Sequence, residues 1–128
     1  MIGTKSAPLV LIVDDDFDVC EVYADALVEI GFEVAIARNG RDALGLLERS
    51  PMLPALILVD LMMPVMDGRA LIAALRARPA LAVIPIVVMT ANRGGPPVEG
   101  APCLFKPFSL EVLCDTVQTH LARSGAAA

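Results

Sequence analysis

Residues 9–16 read Leu9-Val-Leu-Ile-Val-Asp-Asp-Asp16, an apolar run that ends in three consecutive carboxylates. Two further apolar runs, Ala55–Val59 and Ile86–Met89, are each followed by a polar residue, Asp60 and Thr90 respectively. Strands that are apolar throughout are buried on both faces, which is typical of a parallel sheet covered by helices. These runs therefore predict an α/β fold.

The rest of the chain alternates strand-like and helical patterns, as βα units do. Asp67 and Ser109 stand where helix N-caps are expected, Gly31 can end the first helix, and Asp16 and Asp18 fit a cap or first turn. The pattern predicts strands at Leu9–Val13, Glu33–Ala37, Ala55–Val59, Ile86–Met89 and Cys103–Phe105, and helices at about Asp18–Ile30, Arg41–Arg49, Gly68–Ala77 and Leu110–Ala122.

Residues 91–102 break the alternation. Six of these twelve residues are Gly or Pro, and an interior Gly or Pro costs a helix about 1 or about 3 kcal/mol, respectively. We therefore expect a loop, or at most one helical turn, before the last strand.

Composition excludes several classes of protein. The chain has 128 residues, 56% of them hydrophobic, and a net charge of −5. This apolarity excludes a disordered chain, and no apolar run approaches the ~20 residues of a membrane span. The negative charge argues against a broad surface for nucleic acid or anionic membrane. Four of the nine Asp residues lie within residues 14–18, and a bound cation would offset their repulsion.

The length fits one domain over residues 1–128, with a core at about 8–122 and disordered termini. The three cysteines lack metal-ligand spacing, which favours free thiols in a reducing compartment. Residues 1–8 are too short and too polar for a signal peptide. We therefore expect a cytoplasmic protein with no membrane insertion.

Polar residues follow four of the predicted strands. Ligands of an open parallel sheet bind beyond the carboxyl ends of its strands, where Asp14, Asp15, Asp60, Thr90 and Lys106 fall. Asp14 and Asp15 offer the hard oxygen ligands that Mg²⁺ prefers. The Asp60 carboxylate can attack phosphorus, while the ammonium and the hydroxyl can stabilise phosphoryl oxygens. This set suits phosphoryl transfer onto a carboxylate.

With these residues in place, the sequence resembles the receiver domain of bacterial two-component response regulators. The matching motifs are Leu9-Val-Leu-Ile-Val-Asp-Asp-Asp16, Leu58-Val-Asp-Leu-Met-Met-Pro-Val-Met-Asp-Gly68, Val87-Val-Met-Thr-Ala91 and Phe105-Lys-Pro-Phe108. They occur in the family's order. The resemblance implies a flavodoxin-like, doubly wound sheet of five parallel strands in the order 2-1-3-4-5.

The resemblance also implies a phosphorelay function. Asp60 would accept a phosphoryl group from a histidine kinase or phosphotransfer protein and would switch contacts with a downstream protein target. Mg²⁺ or Mn²⁺ would be held by Asp15, Asp60 and the Met62 backbone carbonyl, with Asp14 acting mostly through water. Thr90 and Lys106 would contact the phosphoryl group, and the bond between Lys106 and Pro107 would be cis. Such a domain catalyses only its own phosphorylation and dephosphorylation, and binds no nucleic acid directly.

The sequence departs from the family in two places. Receivers usually carry Tyr or Phe three residues before the lysine, where this chain has Cys103, which we expect to be a small apolar filler. Thr90 and Lys106 are 16 positions apart, several fewer than usual, so the family's fourth helix should be shortened or missing. We therefore hypothesise that phosphorylation orders or shifts residues 92–102 instead of moving a Tyr.

Two other functions stay open. Asp14 and Asp16 superficially fit the Asp-x-Asp of haloacid-dehalogenase-like phosphatases, although the chain is small for that fold and lacks a clear acidic pair late in the sequence. A pseudoreceiver, an interaction module that is never phosphorylated, is the other alternative. The acidic, Thr and Lys residues together argue against it, whereas the altered segment before the last strand keeps it open.

Overall fold

The computed structural model describes residues 7–124, so the predicted disorder of residues 1–6 and 125–128 lies outside the described part. At the carboxyl end the last helix continues to Ser124, two residues beyond the predicted core. The described residues form five strands and five helices, and the fourth strand is followed by the fifth with no helix between them. In order, the elements are β1 Leu9–Val13, α1 Phe17–Glu29, β2 Glu33–Ala37, α2 Gly40–Arg49, β3 Leu56–Asp60, α3 Gly68–Arg76, α4 Pro79–Ala82, β4 Ile86–Thr90, β5 Cys103–Phe105 and α5 Leu110–Ser124.

The strands form one parallel sheet in the order β2-β1-β3-β4-β5. Side chains of β1, β3 and β4 alternate between two cores, one on each face of the sheet. On one face they pack against α2 and α3, and on the other against α1 and α5. The uniformly apolar strands are thus buried on both sides, and the predicted flavodoxin-like fold is confirmed.

Local signals place the helix ends within a residue or two of the predicted bounds. The side chains of Asp16, Asn39, Asp67 and Ser109 each accept a hydrogen bond from the backbone N–H three residues later, as N-caps do. Gly31 follows α1 with φ of 108°, a conformation that favours glycine. The interpretation of Asp16 as a capping acid is therefore borne out by its contacts.

The structure differs from the prediction in one short element. The one-turn helix α4 precedes β4, in a region for which no element was predicted. It begins at Pro79, a residue well suited to the first helical position, and continues with good helix formers. It does not replace the helix that receivers have between the fourth and fifth strands. Residues 91–102 contain turns and no helix, as their Gly and Pro content predicted.

Cys103 was wrongly predicted to fill a gap in the core. It is exposed on β5, because β5 is an edge strand and no helix covers it from residues 91–102. Among the residues that the structure describes, no helix is both long enough and apolar enough to span a membrane.

Candidate functional site

The sheet brings the carboxylates of two neighbouring strands together. Val13 of β1 is paired with Val59 of β3, so Asp14 and Asp60, each one residue further along, stand side by side at the carboxyl edge. The strand order reverses between these two strands, which is where open α/β sheets bind their ligands.

Three carboxylates form a cluster at this edge. One carboxylate oxygen each of Asp14, Asp15 and Asp60 lies within 4.8 Å of the others. Asp14 and Asp60 are buried, with 1% and 4% of their surface exposed, whereas Asp15 faces solvent. The cluster therefore has a buried base and one open side, through which a cation can approach from solvent.

Lys106 supplies the positive charge of the site. Its Nζ lies 2.8 Å from Asp14 Oδ2 and 3.5 Å from Asp60 Oδ2. Burial alone would lower the pKa of Lys106, but the hydrogen bond and charge of Asp14, together with the charge of Asp60, raise the pKa above its usual value. The ammonium is thus held in its charged form and shared between the two buried carboxylates.

Asp60 is a carboxylate of the cluster whose pKa is raised, so its ionised form is disfavoured. The pKa of Asp60 is raised from 3.8 to about 6, mainly by burial and also by the nearby charge of Asp14, although the Met62 N–H and Lys106 act to lower it. The Met62 N–H donates to Asp60 Oδ1 at 3.1 Å and leaves Oδ2 facing Lys106. One ammonium does not fully offset three formal negative charges, so the site favours a further cation.

Thr90 ends β4 next to the cluster and is buried. Its Oγ1 accepts the Asn92 N–H at 3.1 Å, and its hydroxyl proton has no acceptor within the described part of the chain. The Thr90 carbonyl accepts the Lys106 N–H at 2.8 Å, which connects the ends of β4 and β5. The peptide bond between Lys106 and Pro107 is cis.

The structure adds supporting residues that the motifs do not mark. The Cys20 thiol of α1 is buried and donates to the Asp14 carbonyl oxygen, with 3.6 Å between Sγ and O. Phe108 stacks on Tyr23 with ring centroids 5.3 Å apart, which fixes the chain just after Lys106. The helical spacing of Cys20 and Tyr23 predicts that both face the core, but not that they contact these particular partners.

Gly68 allows α3 to begin close to the carboxyl end of β3. A Cβ atom at this position would lie 2.4 Å from the Asp60 carbonyl oxygen and 2.8 Å from Leu61 Cα. Both are backbone atoms that cannot swing away, so only glycine fits here. The Asp67-Gly68 pair therefore caps α3 and also sets its distance from β3.

The donor set matches a hard divalent cation. The oxygens of the three carboxylates lie close enough together for one ion to contact all of them, and two of the carboxylates are buried. Mg²⁺ and Mn²⁺ prefer such oxygen ligands. Asp16 is not available to such an ion in the same way, because its carboxylate caps α1. The structure pairs Lys106 with Asp14 and Asp60 and brings a carboxylate oxygen of Asp15 within 4.8 Å of theirs. Thr90 and Met62 lie on the adjoining segments.

Similar sequences occur among bacterial transcriptional regulators. The chain is 36% identical over 129 aligned residues to the transcriptional regulatory protein PrrA of Mycobacterium leprae, an alignment that covers 96% of this chain and 54% of PrrA. The chain thus spans about half the length of this relative.

Solved structures agree with the fold. The receiver domain of a signal transduction histidine kinase from Syntrophus aciditrophicus matches with a TM-score of 0.81 and 32% identity, over 91% of this chain and 92% of that one. The chemotaxis protein CheY4 of Vibrio cholerae matches with a TM-score of 0.78 and 30% identity, over 88% and 98% of the two chains. The profile of the response regulator receiver domain matches residues 10–118, and the chain belongs to this family of two-component signalling modules.

Proposed function

We propose that this protein is a phosphorylation-controlled signalling module in which Asp60 accepts a phosphoryl group from a histidine kinase or a phosphotransfer protein. The observation that carries the proposal is the position of Lys106, within 3.5 Å of the Asp60 carboxylate and 2.8 Å of the Asp14 carboxylate. This geometry supports a nucleophilic carboxylate next to a fixed cation that can neutralise a phosphoryl oxygen.

Each residue of the site has a separate task in this proposal. Asp60 Oδ2 forms the bond to phosphorus, and the leaving group departs on the opposite side. Lys106 binds one phosphoryl oxygen, and the Thr90 hydroxyl donates its proton to another. Asp14, Asp15, Asp60 and the Met62 carbonyl would hold Mg²⁺ or Mn²⁺, whose contribution is to reduce the negative charge between the carboxylates and the incoming phosphoryl group.

The response to phosphorylation would involve residues 91–102. The Thr90 hydroxyl oxygen accepts the Asn92 N–H, and the Asn92 side chain in turn accepts the Gly94 N–H at 3.1 Å. A phosphoryl group that draws Thr90 toward Asp60 would break the first of these bonds, and so would release the start of the segment. This coupling supports a readout through the 91–102 segment in a chain without the usual aromatic residue.

Amide hydrogen exchange tests that readout. With beryllofluoride and Mg²⁺ as a phosphoryl mimic, the exchange of residues 92–101 should change, while that of α2 stays constant as an internal control. Unchanged exchange in residues 92–101 would contradict a role for this segment. The output would then have to use another surface.

The chemistry itself is tested with acetyl phosphate. We expect wild-type protein with Mg²⁺ to take up one phosphoryl group per chain, and Asp60→Asn to take up none. Removing the cation with EDTA should prevent uptake. Stoichiometric labelling of the Asp60→Asn variant, or none of the wild type, would contradict the proposal; the second result would favour the pseudoreceiver.

The phosphatase alternative makes a different prediction. It needs Asp14 as nucleophile and Asp16 as acid, but Asp14 is paired with Lys106 and Asp16 caps α1. These contacts favour the receiver over the enzyme. Multiple turnover of a generic phosphate ester, lost in Asp14→Asn and retained in Asp60→Asn, would reverse that preference.

The cellular location and the partners of the domain are part of the same proposal. We infer that residues 1–128 form one receiver domain, which acts in the cytoplasm through contacts with proteins and does not itself bind DNA. The mycobacterial relative is a transcriptional regulatory protein, so a transcriptional output is one form that such signalling takes.

A further inference from the structure

A cavity of about 380 Å³ lies next to the carboxylate cluster, beneath residues 91–102. Its apolar walls come from the ends of β3, β4 and β5 and from the segment above them. They are formed mainly by Leu61, Val88, Val98, Ala101, Cys103 and Phe105. The space exists because no helix packs onto this part of the sheet, and its volume lies in the range of about 300–1,000 Å³ that is typical of small-molecule sites.

Two of the three charged residues that line the cavity are positive. The side chains of Arg69 and Arg93 line it together with Asp67. The Asp67 carboxylate accepts the Ala70 N–H as the cap of α3, whereas no carboxylate among the described residues lies within ion-pair distance of either arginine. In a chain of net charge −5, two unpaired guanidinium groups beside one apolar cavity favour an anionic ligand.

Both arginines are held in place by contacts with the protein. Arg69 donates to the Pro96 carbonyl oxygen of the overlying segment. The Arg93 guanidinium carbon lies 4.9 Å from the centre of the Phe105 ring. These contacts use only part of each guanidinium group, which has five N–H donors in total, so both retain donors for a ligand.

We propose that this cavity is a binding site for a compact hydrophobic anion, that is, a molecule with one aromatic or aliphatic body and one carboxylate, sulfonate or phosphate group. The apolar body would lie against β4 and β5, and the anionic group would face Arg69 and Arg93. The site is separate from the carboxylate cluster, which is negative and takes a cation. Because Thr90 also lines the cavity, occupancy would alter phosphorylation of Asp60, and this last point alone rests on the proposed function.

Fluorescence titration with 1-anilinonaphthalene-8-sulfonate tests the site, because this probe combines two aromatic groups with one sulfonate. We expect saturable binding of one probe per chain to the folded protein. Cys103→Trp, which fills the cavity, should abolish this binding. Val83→Trp, at a position that is 78% exposed and outside the cavity, is the matched control and should bind as the wild type does.

The charge of the ligand is tested with a pair of probes. Arg93→Glu should weaken binding of the sulfonate about fivefold, as expected for one partly solvated ion pair, and should leave its uncharged analogue N-phenyl-1-naphthylamine unaffected. Arg49→Glu, on α2, is the charge control and should change neither. Circular dichroism of each variant shows whether it is folded.

Equal binding to wild type and folded Cys103→Trp would overturn the proposal. So would equal loss of both probes in folded Arg93→Glu. If Cys103→Trp instead changes only the oligomeric state, the face is a contact between copies of the chain, and the proposal fails. These titrations need neither Mg²⁺ nor phosphorylation, so their failure is distinguishable from a failure of Asp60 to accept phosphate.

Discussion

The ammonium group of Lys106 makes its shorter contact with Asp14 and its longer contact with Asp60. The distances from Nζ to Oδ2 are 2.8 Å and 3.5 Å. Asp14 is therefore the fixed partner of the lysine, and Asp60, whose pKa burial raises to about 6, is the carboxylate with an incompletely compensated charge. The residue that we propose as the phosphoacceptor is thus a buried carboxylate whose charge a bound cation would stabilise.

Removal of the lysine should destabilise the protein. Lys106→Met leaves the buried Asp14 without its ion-pair partner, and we expect a loss of about 1–3 kcal/mol in the free energy of unfolding. Arg78→Met removes the exposed ion pair with Glu48 and should cost less than about 1 kcal/mol. Urea denaturation measures both, and equal losses would contradict the distinction between them.

Mg²⁺ should stabilise Lys106→Met more than it stabilises the wild type. Without the ammonium, the three carboxylates keep their full mutual repulsion, so Mg²⁺ should raise the melting temperature of Lys106→Met by more than it raises that of the wild type. Thermal denaturation with Mg²⁺ and with EDTA provides the comparison. A smaller Mg²⁺ effect in the variant would indicate that the lysine supports the metal site instead of competing with the cation.

Neutralisation of Asp60 should stabilise the metal-free protein. A carboxylate whose pKa is raised on folding, here from 3.8 to about 6, favours unfolding once it is ionised. The difference in stability between Asp60→Asn and the wild type should therefore be small near pH 4, should grow as the pH rises to 6, and should level off above it at about 1–3 kcal/mol. Denaturation of both proteins in EDTA at several pH values measures this difference, and a difference that does not depend on pH would exclude the titration of Asp60 as its source.

The glycine that separates α3 from β3 should resist substitution. Gly68→Ala places a methyl group against the backbone of Asp60 and Leu61, and we expect it to cost about 2 kcal/mol or more and to impair phosphorylation. Gly45→Ala is the control, because its new methyl group would mainly meet the movable end of the Arg49 side chain. Because Gly45 lies in the interior of α2, Gly45→Ala should stabilise the fold by about 0.5–1 kcal/mol. If Gly45→Ala instead destabilises the protein as much as Gly68→Ala does, the close approach of Gly68 to the backbone of Asp60 and Leu61 is not the cause of the loss.

Val65 has a strained backbone conformation. It has φ of 69° and lies in the loop after Asp60, where the Met66 N–H donates to the Pro64 carbonyl oxygen at 2.8 Å. A β-branched residue rarely adopts this conformation. Val65→Gly should therefore raise the free energy of unfolding by about 1 kcal/mol, as measured by urea denaturation, since the side chain is largely exposed and loses little packing. If Val65→Gly is destabilised, the contacts of the Val65 side chain stabilise the fold by more than the backbone strain at this residue destabilises it.

Sequence patterns predicted most of the fold because the central strands are apolar throughout and the helix caps are explicit. Asp16, Asp67 and Ser109 act as caps where they were expected, and polar residues at four strand ends marked the site before its geometry was known. The contacts of Cys20 and Tyr23 were not predictable, because helical periodicity indicates burial but not the partner. The exposure of Cys103 was missed for a related reason, since the loss of a neighbouring helix uncovers a residue whose own sequence context looks buried.

The identity of the phosphorylated residue tests the central claim most directly. After acetyl phosphate treatment with Mg²⁺, borohydride reduction converts an aspartyl phosphate into homoserine, and peptide mass spectrometry locates the converted residue. We predict conversion at Asp60 alone, with none in Asp60→Asn. Conversion at Asp14 or Asp15 in the wild type, or at any residue in Asp60→Asn, would contradict it.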